Sequence, residues 1–339
     1  MSANGQRILF LGTEDGLYRA TPRNGEYDVE LVGLKGLGAI RFPVTVDRSD
    51  ANRMYVGSTR GGVFRSEDGG SSWQARNEGI VHRDVWCMIQ HPTTGALYAG
   101  ASPASVYVSA DGAESWQELE SLGRLRSTRQ WTGPQPPHVS RMKCLAATPA
   151  DADALYGAIE EGWAVSSHDG GASWEQIDSI DHDGHMIAVM ADDPSIVVST
   201  TGKGIFRSCD SGHSWQPTNE GLEGHNYTPA HLVRDAGDSR FLMTAVTMMG
   251  PGSFMRPEGV GAAFARSADQ GGHWELAPKA LPESFVSVPR SLAADPEVPG
   301  TYFAGMIDGS VWKSEAHGDS FRPLLQGLPQ VTSILVTHR

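Results

Sequence analysis

The sequence is poor in cysteine. Only Cys87, Cys144 and Cys209 occur, at wide and unmatched spacing. Such a set builds neither a disulfide framework nor a zinc knuckle. Basic residues are also scarce: 27 Lys and Arg face 40 Asp and Glu, a formal net charge of −13. That balance argues against a nucleic-acid partner, whose phosphates need a basic footprint. No apolar run approaches the roughly 18–20 residues of a membrane helix. Near the start, Ile8-Leu9-Phe10-Leu11 is too short for the apolar core of a signal peptide. The expected setting is a reducing cytoplasm, without membrane contact. Long stretches with a 3.6-residue period are missing too, which argues against a helical fold.

What the chain does have is 40 glycines and a recurring octapeptide. The copies are Ser66–Trp73, Ser109–Trp116, Ser167–Trp174, Ser208–Trp215 and Ser267–Trp274, with a worn copy at Ser314–Phe321. Each follows two short β-rich runs divided by a Gly-containing turn, such as Arg53–Ser58 and Gly62–Ser66. Within the octapeptide, Asp can bond local backbone N–H groups, Gly can take positive φ, and Trp can pack between sheets.

The pattern Ser-x-Asp-x-Gly-x-Ser-Trp resembles the Asp-box, or bacterial neuraminidase (BNR), repeat. The resemblance implies a β-propeller, with each box in the turn between a blade's third and fourth strands. Six blades carry boxes. A seventh is read from Arg7–Thr13 and Gly16–Ala20, which lack an innermost strand; Val331–Thr337 is the candidate to supply it. The expected fold is therefore all-β: a single domain, 1–339, forming a seven-bladed propeller of four-stranded antiparallel blades. Pairing of the N- and C-terminal strands closes the ring and removes the open sheet edge. A closed ring needs no obligate partner, so a monomer or weak homo-oligomer is expected.

In the families this pattern resembles, the boxes lie on the rim opposite the ligand face. Asp68, Asp111, Asp169, Asp210 and Asp269 are accordingly structural, as are His168, His213, His273 and His317. The links between blades share the other, top face with the turns between second and third strands. Half of the 12 histidines fall on those links. His82, His138, His185, His225 and His231 form a candidate metal set, because imidazole is a common ligand of divalent metal ions. Arg41, Arg60, Arg141, Lys143, Arg290 and Trp86 are candidate substrate-binding residues; guanidinium groups pair bidentately with carboxylate, phosphate or sulfate. His185, Tyr227 and Glu160 are the candidate catalytic groups. The function these residues suggest is a metal-assisted lyase or hydrolase acting on a small anionic molecule in the central funnel.

Two alternatives stand beside it. Compact Asp-box propellers also resemble non-catalytic assembly scaffolds. Ile40-Arg41-Phe42-Pro43 resembles a sialidase arginine motif, which implies an Arg41, Arg141 and Arg290 trio and a Tyr227 nucleophile partnered by Glu160 or Glu161. Segments 117–143 and 247–261 are long top-face insertions expected to overhang the funnel; the first is locally +3.

Overall fold

The computed structural model describes residues 5–277 and 280–339. Its strands form seven four-stranded sheets, and every neighbouring pair within a sheet runs antiparallel. Six sheets take four consecutive strands each. The seventh is composite. Val331–His338 pairs with Arg7–Thr13, which pairs in turn with Gly16–Arg23 and Glu26–Gly33. The ring is thus a seven-bladed propeller, closed where the two ends of the chain meet. Among the described residues, no helix is long and apolar enough to cross a membrane.

Each octapeptide is the predicted turn. In one copy the Ser208 hydroxyl donates to Asp210 Oδ1 (2.7 Å) and accepts from the Gly212 N–H (2.9 Å). Asp210 also accepts from the Ser214 N–H at 2.8 Å. The Ser214 hydroxyl, then the Ser214 N–H and the Ser208 hydroxyl, hold the Asp210 carboxyl down at about 2. The Asp68, Asp111, Asp169 and Asp269 turns repeat the arrangement. In the worn copy Ser320–Leu325 instead continues a hairpin with Val311–Glu315. The Trp116, Trp174, Trp215 and Trp274 side chains are buried between blades.

One irregularity recurs in the innermost strands. In Asp84–Gln90 the pairing steps from Val85 to Cys87 while the partner strand advances by one residue, so Trp86 is extruded. The same bulge extrudes Lys143 from Arg141–Thr148, His185 from Gly184–Val189, Arg290 from Pro289–Ala294 and Thr332 from Val331–His338. A bulged residue has no cross-strand partner, and the local bend re-aims its side chain. The second strand leaves room for this. A Cβ on Gly305 would lie 2.4 Å from Ser291 Oγ, the residue that follows the bulge at Arg290. The glycines that close each Tyr-Val-Gly-like run are explained at this position by close backbone approach.

Candidate functional site

The five extruded residues converge. Trp86, Lys143, His185, Arg290 and Thr332 line one cavity with Arg41, Met186 and the segment Tyr227–His231. Every blade contributes, through its inner strand or the link leading into it, so the cavity lies on the propeller axis. Its volume is about 60 Å³. That holds a few water molecules or a small oxyanion. It is well below the ~300–1,000 Å³ of pockets that enclose drug-sized ligands.

Cations dominate the wall. The Arg41 and Arg141 guanidinium groups lie over the Trp86 ring at 5.1 and 4.7 Å from its centroid. Arg41 is also paired with Glu14 at 2.7 Å. Glu160 is buried and holds Arg141 Nη1 at 2.7 Å and Lys143 Nζ at 3.0 Å. Burial alone would raise the Glu160 carboxyl; Lys143 and then Arg141 outweigh it and hold it below its ordinary value. Arg290 differs from these. No carboxylate among the described residues pairs with it, its Nε is shielded without a hydrogen-bond partner, and its guanidinium lies over the Phe254 ring at 5.7 Å. Burial pushes its pKa down.

The histidines divide. His185 is buried; its Nδ1 faces the Thr228 carbonyl at 2.9 Å, and its Nε2 lies 3.1 Å from Asp183 Oδ2. A carbonyl oxygen only accepts, so Nδ1 carries a proton. Burial would raise Asp183, but His185 and Lys143 hold it well below the usual carboxylate range. His231 is buried beneath the cations and pushed down to about 4, mainly by burial; it is neutral at physiological pH. Its Nδ1 has no partner. Tyr227 stacks edge-to-face on His185 at 4.9 Å, and burial together with Asp183 raises its phenol.

Several expectations need correction. His82, His138 and His225 do not reach the axial cavity. His82 is fixed through its backbone N–H to the Tyr107 hydroxyl, His138 Nδ1 bonds the Gly133 carbonyl, and His225 Nδ1 faces the Leu222 carbonyl and lines a separate groove beside Trp274. Among the described residues, no three His, Cys, Asp or Glu side chains are placed to hold a metal ion. The five-histidine metal set therefore does not assemble, and the residues present do not fit a divalent ion. Arg60 is exposed and lies outside the cavity, because the hairpin that carries it turns at a wider radius than the inner strand. Glu160, the candidate partner of Tyr227, is paired with two cations, Arg141 and Lys143. Segment 117–143 runs down the flank of the next blade, where Ser121 bonds the Gly171 carbonyl and Trp131 bonds Gln176; its Arg124, Arg126 and Arg129 face solvent. Segment 247–261 does sit by the mouth, with Phe254 packed on Tyr227 and Arg290.

Arg41, Trp86, Lys143, His185, Tyr227, His231 and Arg290 were each predicted and line the cavity together; Glu160 and Arg141 stand directly behind it. Thr228, Met186 and Thr332 were missed. The signal that finds the extruded set is a short phrase at the head of the inner strands: Trp86-Cys87-Met88, Lys143-Cys144-Leu145, Arg290-Ser291-Leu292 and Thr332-Ser333-Ile334. The extruded residue precedes a small or soft one and then the first core residue.

Ion pairing also sets an acid limit. The unpaired values are 4.5 for Glu160 and 3.8 for Asp183, and both are lowered in the fold. A depressed carboxylate contributes stability that is present above its unfolded pKa and lost as pH falls through the folded one. The melting temperature is expected to hold from pH 7 to about 5 and to fall below that. A scanning-fluorimetry profile that stays flat to pH 3 contradicts the pairing.

No protein-family model matches the chain, and no curated protein matches it in sequence. Solved structures do. A GH74 xyloglucanase from Xanthomonas campestris is 15% identical with a TM-score of 0.68, over 96% of this chain and 53% of that one. An ancestral GH74 enzyme is 15% identical with a TM-score of 0.61, over 88% of this chain and 38% of that one. YCF48 bound to D1 peptide is 14% identical with a TM-score of 0.59, over 92% of this chain and 94% of that one. The chain therefore spans about half, or less, of the two GH74 proteins. Likeness at this level shows the shared propeller fold.

Proposed function

We propose that the protein recognises a small anionic molecule, or the anionic group of a larger one, at the top of its axial channel. One observation carries this. Two guanidinium nitrogens at the chamber, Arg41 Nε and Arg290 Nε, are shielded from solvent and unmatched by any hydrogen-bond acceptor. Buried polar groups are rarely left so, because each costs about 1–3 kcal/mol unmade. Arg290 in addition keeps a positive charge largely out of water with no paired carboxylate among the described residues. A carboxylate, phosphate or sulfate supplies the missing acceptors and the missing charge together.

The octapeptide turns support membership among the Asp-box propellers. The size of the chamber speaks against a polysaccharide or a whole sialic acid as the enclosed group. A catalytic reading, as a lyase or hydrolase free of metal, rests on His185 and Tyr227 meeting at the chamber wall. The raised Tyr227 phenol and the occupied His185 Nδ1 favour binding over turnover.

The test is calorimetry and thermal shift with phosphate, sulfate and acetate at constant sodium. Saturable binding of at least one oxyanion and a rise of a few degrees in melting temperature are expected, by mass action on the folded state. No heat and no shift at 10 mM (roughly a hundred times a 0.1 mM Kd) would remove the reading.

A further inference from the structure

The chamber has a neighbour along the axis. A second cavity of about 290 Å³ is lined by Phe42, Leu232, Leu292, Ile334, Leu335 and Val336 among others. Met186 and His231 line both cavities and form their common wall. Apart from His231, no side chain on the second cavity is polar. His231 itself is neutral at physiological pH. This mostly apolar lining meets solvent, and an apolar tail gains by displacing the water against it.

We infer that the anion taken by the chamber is amphipathic. Its charged head lies among Arg41, Lys143 and Arg290, and its apolar tail continues down the axis into the second cavity. This rests on the anion-binding reading above and extends it to a ligand class: acids carrying a straight hydrocarbon chain. Three features fit. The upper chamber is too small to enclose any body beyond the head. The cavity directly below is apolar and contiguous through one shared wall. Part of that wall is Met186, an unbranched side chain with three rotatable bonds that can swing aside without leaving a polar group unpaired. The order of the two spaces also fixes polarity. The tail enters first and the head stops at the cations, because a charged head gains nothing in the apolar half.

The experiment is a calorimetric series on the full chain with acetate, butanoate, hexanoate and octanoate, and with phosphate as a tailless anion. Affinity is expected to rise about fourfold per added methylene beyond acetate. Two variants separate tail from head. Ala294→Phe fills the lower cavity from a partly exposed position, and Leu335→Asn makes its wall polar. Both are expected to abolish the chain-length gain while leaving acetate and phosphate affinities unchanged, which also reports that the variants are folded. Equal affinity for acetate and octanoate, with phosphate still bound, overturns the amphipathic ligand and leaves the anion site standing. A chain-length gain that survives both variants does the same. Failure of every anion to bind removes both readings.

Discussion

Arg290→Met is expected to make the empty protein more stable and unable to hold its ligand. The two effects have opposite signs and a single cause. Arg290 is a cation shielded by Phe254 and the inner strands, with no paired carboxylate among the described residues. Keeping such a charge out of water is costly, and apolar replacements of buried ionic groups are often neutral or stabilising by about 1–4 kcal/mol. Part of Arg290 faces the chamber and its water, so about 1 kcal/mol is the expectation here. Methionine has the length to preserve packing on Phe254. The same change removes the cation that has no competing partner within the fold. Oxyanion affinity is expected to fall about 100-fold, the scale of truncating one member of a buried charge pair. Melting curves with and without 10 mM phosphate (about 100 times a 0.1 mM Kd) read both effects at once. A variant that melts lower and still responds to phosphate contradicts the assignment of Arg290 as the anchoring charge.

Glu160→Gln is expected to do the reverse. Gln keeps the shape, but Arg141 and Lys143 lose the carboxylate they share. Breaking a buried pair costs about 3–5 kcal/mol; both cations are roughly a fifth exposed, so about 2 kcal/mol is expected. The chamber gains one unit of positive charge within its own wall. Oxyanion affinity is therefore expected to rise about tenfold, the effect of one charge a few ångström away at intermediate dielectric. Bound anion then restores part of the lost stability, so the gap from the parent protein narrows as phosphate is added. If Glu160 instead served as a proton donor, the substitution would leave affinity unchanged and abolish turnover of whatever substrate is found. Taken together, the two variants distinguish a site whose cations are arranged for binding from one whose carboxylate is arranged for chemistry.

The fold was readable because one octapeptide reports it. Ser-x-Asp-x-Gly-x-Ser-Trp and its near variants close five turns with the same hydrogen bonds, and their spacing counts the blades. Even the closing strand was visible, since Arg7–Thr13 and Gly16–Ala20 lack an inner partner and Val331–Thr337 lacks a blade. The site was readable only in part. Topology assigns a residue to the top face, yet says little about its distance from the axis. Arg60 and His82 share the face with Lys143 and Arg290 but stand on a hairpin and an early link, away from the cavity. His138 and His225 were counted for their chemistry, and each is instead tied to a carbonyl of its own loop. What decides access is the extra residue in an inner strand, a property of backbone register. Titratable residue types do not reveal register, which is why Thr332 and Met186 went unnoticed beside Lys143 and His185.

The bulges also bear on how such a molecule can change over generations. An extruded residue contributes no rung to the ladder of its sheet. Trp86, Lys143, His185 and Arg290 can each be exchanged without removing a rung from a strand ladder, whereas Thr332 is tied through its hydroxyl to the Gly12 and Ile40 carbonyls. A lineage can rewrite the charge, size and reactivity of the chamber one blade at a time, with the octapeptide turns unaffected. Distant propellers that agree in backbone would then share little of what they recognise.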